Sequence, residues 1–171
     1  MPLTMHQASV PALVQILGSL TALIDKAEAF CEARKVDPAV VLNYRLAADM
    51  FPFTRQIQIA TDQAKGIAAR LAGVEVPSYE DSEASFADLK ARLAKTIEFV
   101  TSLPAARFEG AETREITIKL RTQEVHFTGA GYLFGFALPH FYFHATTAYD
   151  ILRHIGVEVG KRDFIGAAPV R

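Results

Sequence analysis

Phe53, Ile57, Ala60, Ala64, Ile67 and Leu71 recur at alternating steps of four and three residues, with Gly73 just beyond the last of them. Such a series puts every apolar side chain on one stripe of an α-helix, and that stripe must be buried against something. The same period appears in three other segments. Leu13, Leu17, Leu20, Ile24 and Ala27 carry it over residues 13–30, with an earlier turn from Thr4 and Pro11 near the start. Phe86, Leu89, Leu93, Ile97 and Val100 carry it in a helix that begins near Ser82 and ends at Pro104. Phe141, Ala145, Ala148, Leu152 and Ile155 carry it over roughly 136–155, with Gly156 as the stop. Four one-sided helices solve their burial problem together, so the pattern predicts an all-α four-helix bundle in one domain over residues 1–171.

The remaining stretches fill in the connections. Asp37 before Pro38 reads as a cap followed by a first helical position. Pro52 interrupts the pattern from Val40 to Met50, which predicts a short helix or irregular turn before about residue 49 and the long helix after it. "GVEVPSYEDSE" is a polar loop. Residues 114–128 change to period two, with Ile116, Ile118 and Leu120 alternating with Thr117, Lys119 and Arg121, and read as a small β-hairpin before the last helix. Gly129, Gly131 and Gly135 follow as flexible punctuation. The connection between third and fourth helices is thus long enough to cross over. The tail from Val157 is expected to be extended, with Phe164 and Ile165 folding back on the bundle.

Composition narrows the function classes. The 171 residues include 18 basic and 19 acidic side chains, a net charge of −1, which gives no support for a nucleic-acid or membrane partner. Cys31 is the one cysteine, so no internal disulfide points to an oxidising compartment. Without a signal-peptide pattern or a run of about 20 apolar residues, a cytoplasmic location is the expectation. Cys31, at a helix end with no histidine near it in sequence, is expected to be a buried, inert thiol.

Chemistry concentrates in "LPHFYFHATTAYDILRH", residues 138–154. His140 and His144 stand one helical turn apart on the same face, a spacing that lets two imidazoles converge on one divalent ion. The competing reading is a pair of part-buried histidines bonded to neighbouring carbonyls or hydroxyls. Counting back four from Phe53 reaches Asp49, which would extend the core-facing stripe of the second helix. A carboxylate there needs a cation, a donor or a helix end, and capping is the alternative role. Gln56, one heptad on, serves either as support to the site or as an exposed side chain, and exposure is expected. Thr146 and Thr147 are expected to bond back to the preceding turn, and Arg153 and His154 to sit against the negative end of the helix dipole. Tyr142 and Tyr149 are candidates to orient a substrate.

A polar residue on helix two followed by HxxxH on the last helix is the layout of the DinB/YfiT-like superfamily of four-helix bundles. The chain resembles a branch of it described only as a domain of unknown function. The residues that carry the likeness are "LAADMFPFTRQIQIA" at 46–60, "FALPHFYFHATTAYDILRHIGVEVGKRDFIG" at 136–166, and the hairpin before the latter. The superfamily supplies a histidine from helix two, where this chain offers Asp49. The resemblance implies a divalent ion, Zn²⁺ or Ni²⁺, on Asp49, His140 and His144, with a water in an open position and thiol-transfer chemistry on a small molecule. The alternative is a metal-free, non-catalytic homodimer, binding or structural, whose polar core groups only hydrogen-bond.

Overall fold

The computed structural model of the chain describes residues 3–120 and 122–167, so Arg121 of the hairpin and the last four residues of the tail lie outside it. Helix α1 spans Met5–Arg34. It starts earlier than its apolar stripe because Thr4 and Gln7 form a reciprocal cap, each side chain taking the other's backbone N–H. Pro11 lies inside it on the solvent side. Asp37 caps the short α2, Pro38–Leu42, through Ala39 N at 2.9 Å. An irregular stretch leads through Pro52 to α3, Phe53–Ala72, which Gly73 closes at a φ of 66°, a conformation that favours glycine.

Residues 73–85 then run back along α3, and α4 begins only at Phe86, under a Ser85–Asp88 capping box, and extends to Ser102. A 3₁₀ turn at Ala105–Phe108 leads to strands β1, Glu115–Lys119, and β2, Glu124–Thr128, which pair antiparallel with Ile116 opposite Phe127.

The last helical stretch departs from expectation. It begins at Gly129 with α5, Gly129–Tyr132, widens into a π-helical turn at Leu133–Ala137, and continues as α6, Leu138–His154. Pro139 has no N–H to give the carbonyl of Gly135 and its ring would collide with that carbonyl in a regular helix, so the wider turn falls where the conflict is. Gly129 is not flexible punctuation either. A Cβ there would lie 1.7 Å from the Ala111 carbonyl oxygen, so only glycine admits this approach. Beyond an irregular stretch at 157–160 the tail is helical rather than extended: α7, Lys161–Ile165, folds back, with Phe164 meeting the Tyr149 ring at 5.8 Å and Gln15 donating to the Ile165 carbonyl.

Side-chain contacts fix the directions. At one end, His6 of α1 meets Phe108 at 5.0 Å, Arg70 of α3 donates to the Tyr132 hydroxyl at 3.0 Å, and Arg114 donates to the Leu71 carbonyl. At the other, Lys90 of α4 pairs with Asp25 and Glu28 of α1, and Tyr44 meets His154 of α6. Helices α1 and α6 therefore run one way and α3 and α4 the other, with residues 73–85 and 103–128 as the two crossovers. Leu13, Leu17, Ile57, Ala60, Ala64, Leu93, Phe141 and Ala145 are fully buried between them. By length and composition α1 could cross a membrane, yet half of its most apolar window is buried inside the bundle.

Candidate functional site

Pro52 sets the entrance to the site. It holds the preceding Phe51 out of helical conformation, so α3 cannot run back through it; the helix starts at Phe53, whose N–H goes to the Tyr44 carbonyl at 2.9 Å. Gln56, in the first turn, is 1 % exposed and cannot leave its amide unpaired. Its Nε2 donates to the Phe51 carbonyl at 3.0 Å, and its Oε1 lies 2.6 Å from Nδ1 of His144. These two contacts decide the tautomer. Turning the amide over would set oxygen against the Phe51 oxygen, so Oε1 must face the ring, and an amide oxygen only accepts. His144 therefore carries its proton on Nδ1, donates it to Gln56, and keeps the Nε2 lone pair.

His144 is 6 % exposed and His140 half-buried, and their rings lie 5.0 Å apart. Both belong to an aromatic ladder along α6. Phe136 of the π-turn meets His140 edge-on at 5.8 Å, and the exposed Phe143 meets His144 edge-on at 5.1 Å. Burial, then the neighbouring His140, then Arg55 press the His144 pKa down to about 4. Burial lowers that of His140 as well. At neutral pH the pair is two uncharged imidazoles, which accept hydrogen bonds or a metal and hold no anion.

The three expected ligands do not come together. Asp49 is exposed in the irregular stretch before α3, because the register counted back from Phe53 does not survive Pro52. Gln56, expected to be exposed, is instead the buried partner. Structural zinc sites use four protein ligands and catalytic ones three. Among the described residues no group of three or more His, Cys, Asp or Glu side chains is arranged to hold an ion. Two imidazoles and a neutral amide oxygen already engaged by an N–H do not fit a resident divalent ion.

The neighbours behave as ordinary structure. Thr147 bonds back to the Phe143 carbonyl at 2.8 Å, and Arg153 in the last turn donates to the Val159 carbonyl. Tyr142 is half-buried, which raises its pKa, and Tyr149 faces Phe164, away from the histidines. Cys31 is buried, and burial, with the charges of Asp37 and Glu28, pushes its thiol pKa up, the inert direction.

A second polar centre escaped the sequence reading. Arg92 of α4 is enclosed and donates to Asp62 at 2.8 Å, Glu83 at 2.9 Å and Thr61 at 2.7 Å, with Asp81 at 3.1 Å. It ties the crossover 73–85 to α3, and Arg55 bonds Asp81 from the histidine side.

Three comparisons bear on these features. The family described as Domain of unknown function (DUF1993) matches residues 5–165. A crystal structure of a DinB family member protein from Shewanella denitrificans is 45 % identical, with a TM-score of 0.91, over 97 % of this chain and 94 % of that one. No curated protein matches.

Proposed function

The chain belongs to the DUF1993 family and has the DinB-type bundle, and on that footing we propose that it acts without a resident metal, as a non-catalytic homodimeric binding bundle. The observation that carries this reading is the 2.6 Å bond from His144 Nδ1 to Gln56, with Asp49 exposed outside the helix. A site built for a catalytic ion would converge three ligands. Here the nearest buried oxygen belongs to a neutral amide that fixes a ring. The two neutral imidazoles suit a small uncharged donor, a hydroxyl or amide N–H, held between Phe136 and Phe143. Apolar side chains left exposed beside the site, Phe51 at 53 % and Phe143 at 56 %, support the homodimeric part.

One observation favours the metal-dependent reading: a histidine that donates Nδ1–H to a buried oxygen and keeps Nε2 free has the orientation of a metal-ligating histidine. Metal content separates the two. Protein purified without chelators or immobilised metal is expected to hold far less than one equivalent of zinc or nickel. A true site offered a hundredfold excess of Zn²⁺ over its dissociation constant would gain about 2.7 kcal/mol, several degrees of melting temperature; no such gain is expected. Stoichiometric metal that disappears in His144→Ala would overturn the proposal.

A further inference from the structure

Residues 38–54, "PAVVLNYRLAADMFPFT", form the surface between α2 and the start of α3 and contain two charges, Arg45 and Asp49. The rest of what this segment shows to solvent is largely apolar: Val40 is 56 % exposed, Leu46 38 % and Phe51 53 %, with Ala47 and Ala48 exposed between them. Among the described residues neither charge has an opposite partner within the chain. Arg45 donates only to the Met50 carbonyl, at 2.6 Å. Beneath this surface the Phe51 carbonyl bonds Gln56 and Gln56 bonds His144, which places the exposed Phe143 of α6, edge-on to His144 at 5.1 Å, at its border. From Gly129 to Tyr149 that helical stretch has no Asp, Glu, Lys or Arg.

We propose that this face is the two-fold interface of a homodimer, in which Arg45 of each copy pairs with Asp49 of the other across a centre of Phe51, Leu46 and Phe143. The inference rests on the homodimeric reading above and adds to it the surface and the pairing. A two-fold contact must be self-complementary, since residue i meets j wherever j meets i. One unpaired cation and one unpaired anion meet that condition: a two-fold superposition sets each against its opposite, while Arg55, over the Phe51 ring at 5.9 Å, keeps Asp81. A highly charged partner would find nothing here to match, and an uncharged one would leave Arg45 and Asp49 buried without partners. The occupant that satisfies both charges is a second copy. Asp49, exposed outside α3, thereby acquires a use.

Charge reversal tests this on the full chain by sedimentation over a range of concentrations, with circular dichroism as the check on folding. Both positions are exposed outside α3, so the variants keep the bundle. Arg45→Asp leaves two carboxylates facing across the axis and Asp49→Arg two guanidiniums; each is expected to weaken the dimer at least about tenfold, since like charges placed together across an interface are strongly unfavourable. The decisive arm mixes the two variants. Every cross-axis pair then becomes opposite again, so the mixture is expected to form a heterodimer where each variant alone does not. A wild-type dimer that ignores both reversals would overturn this face and leave the homodimeric reading standing. A wild-type monomer at all concentrations would remove both.

Discussion

The His144 imidazole, pressed to a pKa of about 4 by burial first and then by His140 and Arg55, makes the stability of the fold depend on acid in a definite direction. An unfolded chain takes up this proton near 6.5, whereas the native chain resists it until about 4. Between those values the unfolded state binds more protons, so stability falls as pH drops from 6.5 to about 4 and is flat above and below that window for this group. Each pKa unit is worth about 1.4 kcal/mol, which sets a ceiling of roughly 3–4 kcal/mol on the loss. Denaturant melts at pH 7 and pH 4.5 are expected to show much of that loss in the wild type and little of it in His144→Gln. Equal losses in both would place the acid sensitivity elsewhere. Gln56 gives a second test. Gln56→Leu leaves the His144 N–H buried without its acceptor, at a cost of about 1–3 kcal/mol. Gln56→Glu puts a carboxylate against that N–H instead and is expected to move the His144 titration upward in NMR, toward and past its ordinary range.

At the scale of elements, the crossover 73–85 depends on Arg92. Its side chain is 2 % exposed and reaches carboxylates on both α3 and the crossover. Burial alone would raise the Glu83 pKa, yet bonds from Arg92 and Gln58 more than offset that and hold it below the ordinary range. Arg92→Met removes the shared cation. Asp62 keeps Lys65 and Asp81 keeps Arg55, but the nearly enclosed Glu83 retains only neutral donors, Gln58 and a backbone N–H. A loss of about 3 kcal/mol is expected, together with faster cutting at Glu75, Glu80 or Glu83 by a glutamate-specific protease; unchanged cutting would mean the crossover is held by other contacts. The four stripes that define the bundle were legible because a 3.6-residue period is a local signal. Asp49 departs from its pattern for an equally physical reason: counting by fours assumes an unbroken helix, and Pro52 breaks it. The burial of Gln56 is legible in its position rather than its polarity: it lies three residues after Phe53 and four before Ala60, both of them fully buried or nearly so. The start at Gly129 could not be read, since the Ala111 carbonyl that demands a glycine there is distant in sequence and meets it only after folding.

Across the whole molecule, the two crossovers divide the work of holding the bundle. Parallel neighbours cannot be joined by tight turns, so α3 and α4 are linked by a chain segment laid along the outside, and α4 reaches α6 only through the 3₁₀ turn and hairpin. Helix α3 receives most of this covering: it touches α6 and α4, lies under the crossover, and exposes none of its residues fully. The hairpin, by contrast, is two strands with one fully buried side chain, Ile116, and α7 has none. Apolar contact density and solvent access of the backbone set which parts open without global unfolding. Amides of α3 are therefore expected to exchange with deuterium only through global unfolding, and to slow in step with it when stability is raised. Amides of β1, β2 and α7 are expected to exchange orders of magnitude faster through local opening that denaturant barely changes. The hairpin is the informative case, because Arg114 and Gly129 fasten its two ends to α3 and to Ala111. If its amides share the α3 rate, those fastenings make the crossover part of one cooperative unit with the core. If they exchange fast, the bundle is held by its four helices and the hairpin rides on them, which is the outcome its burial predicts.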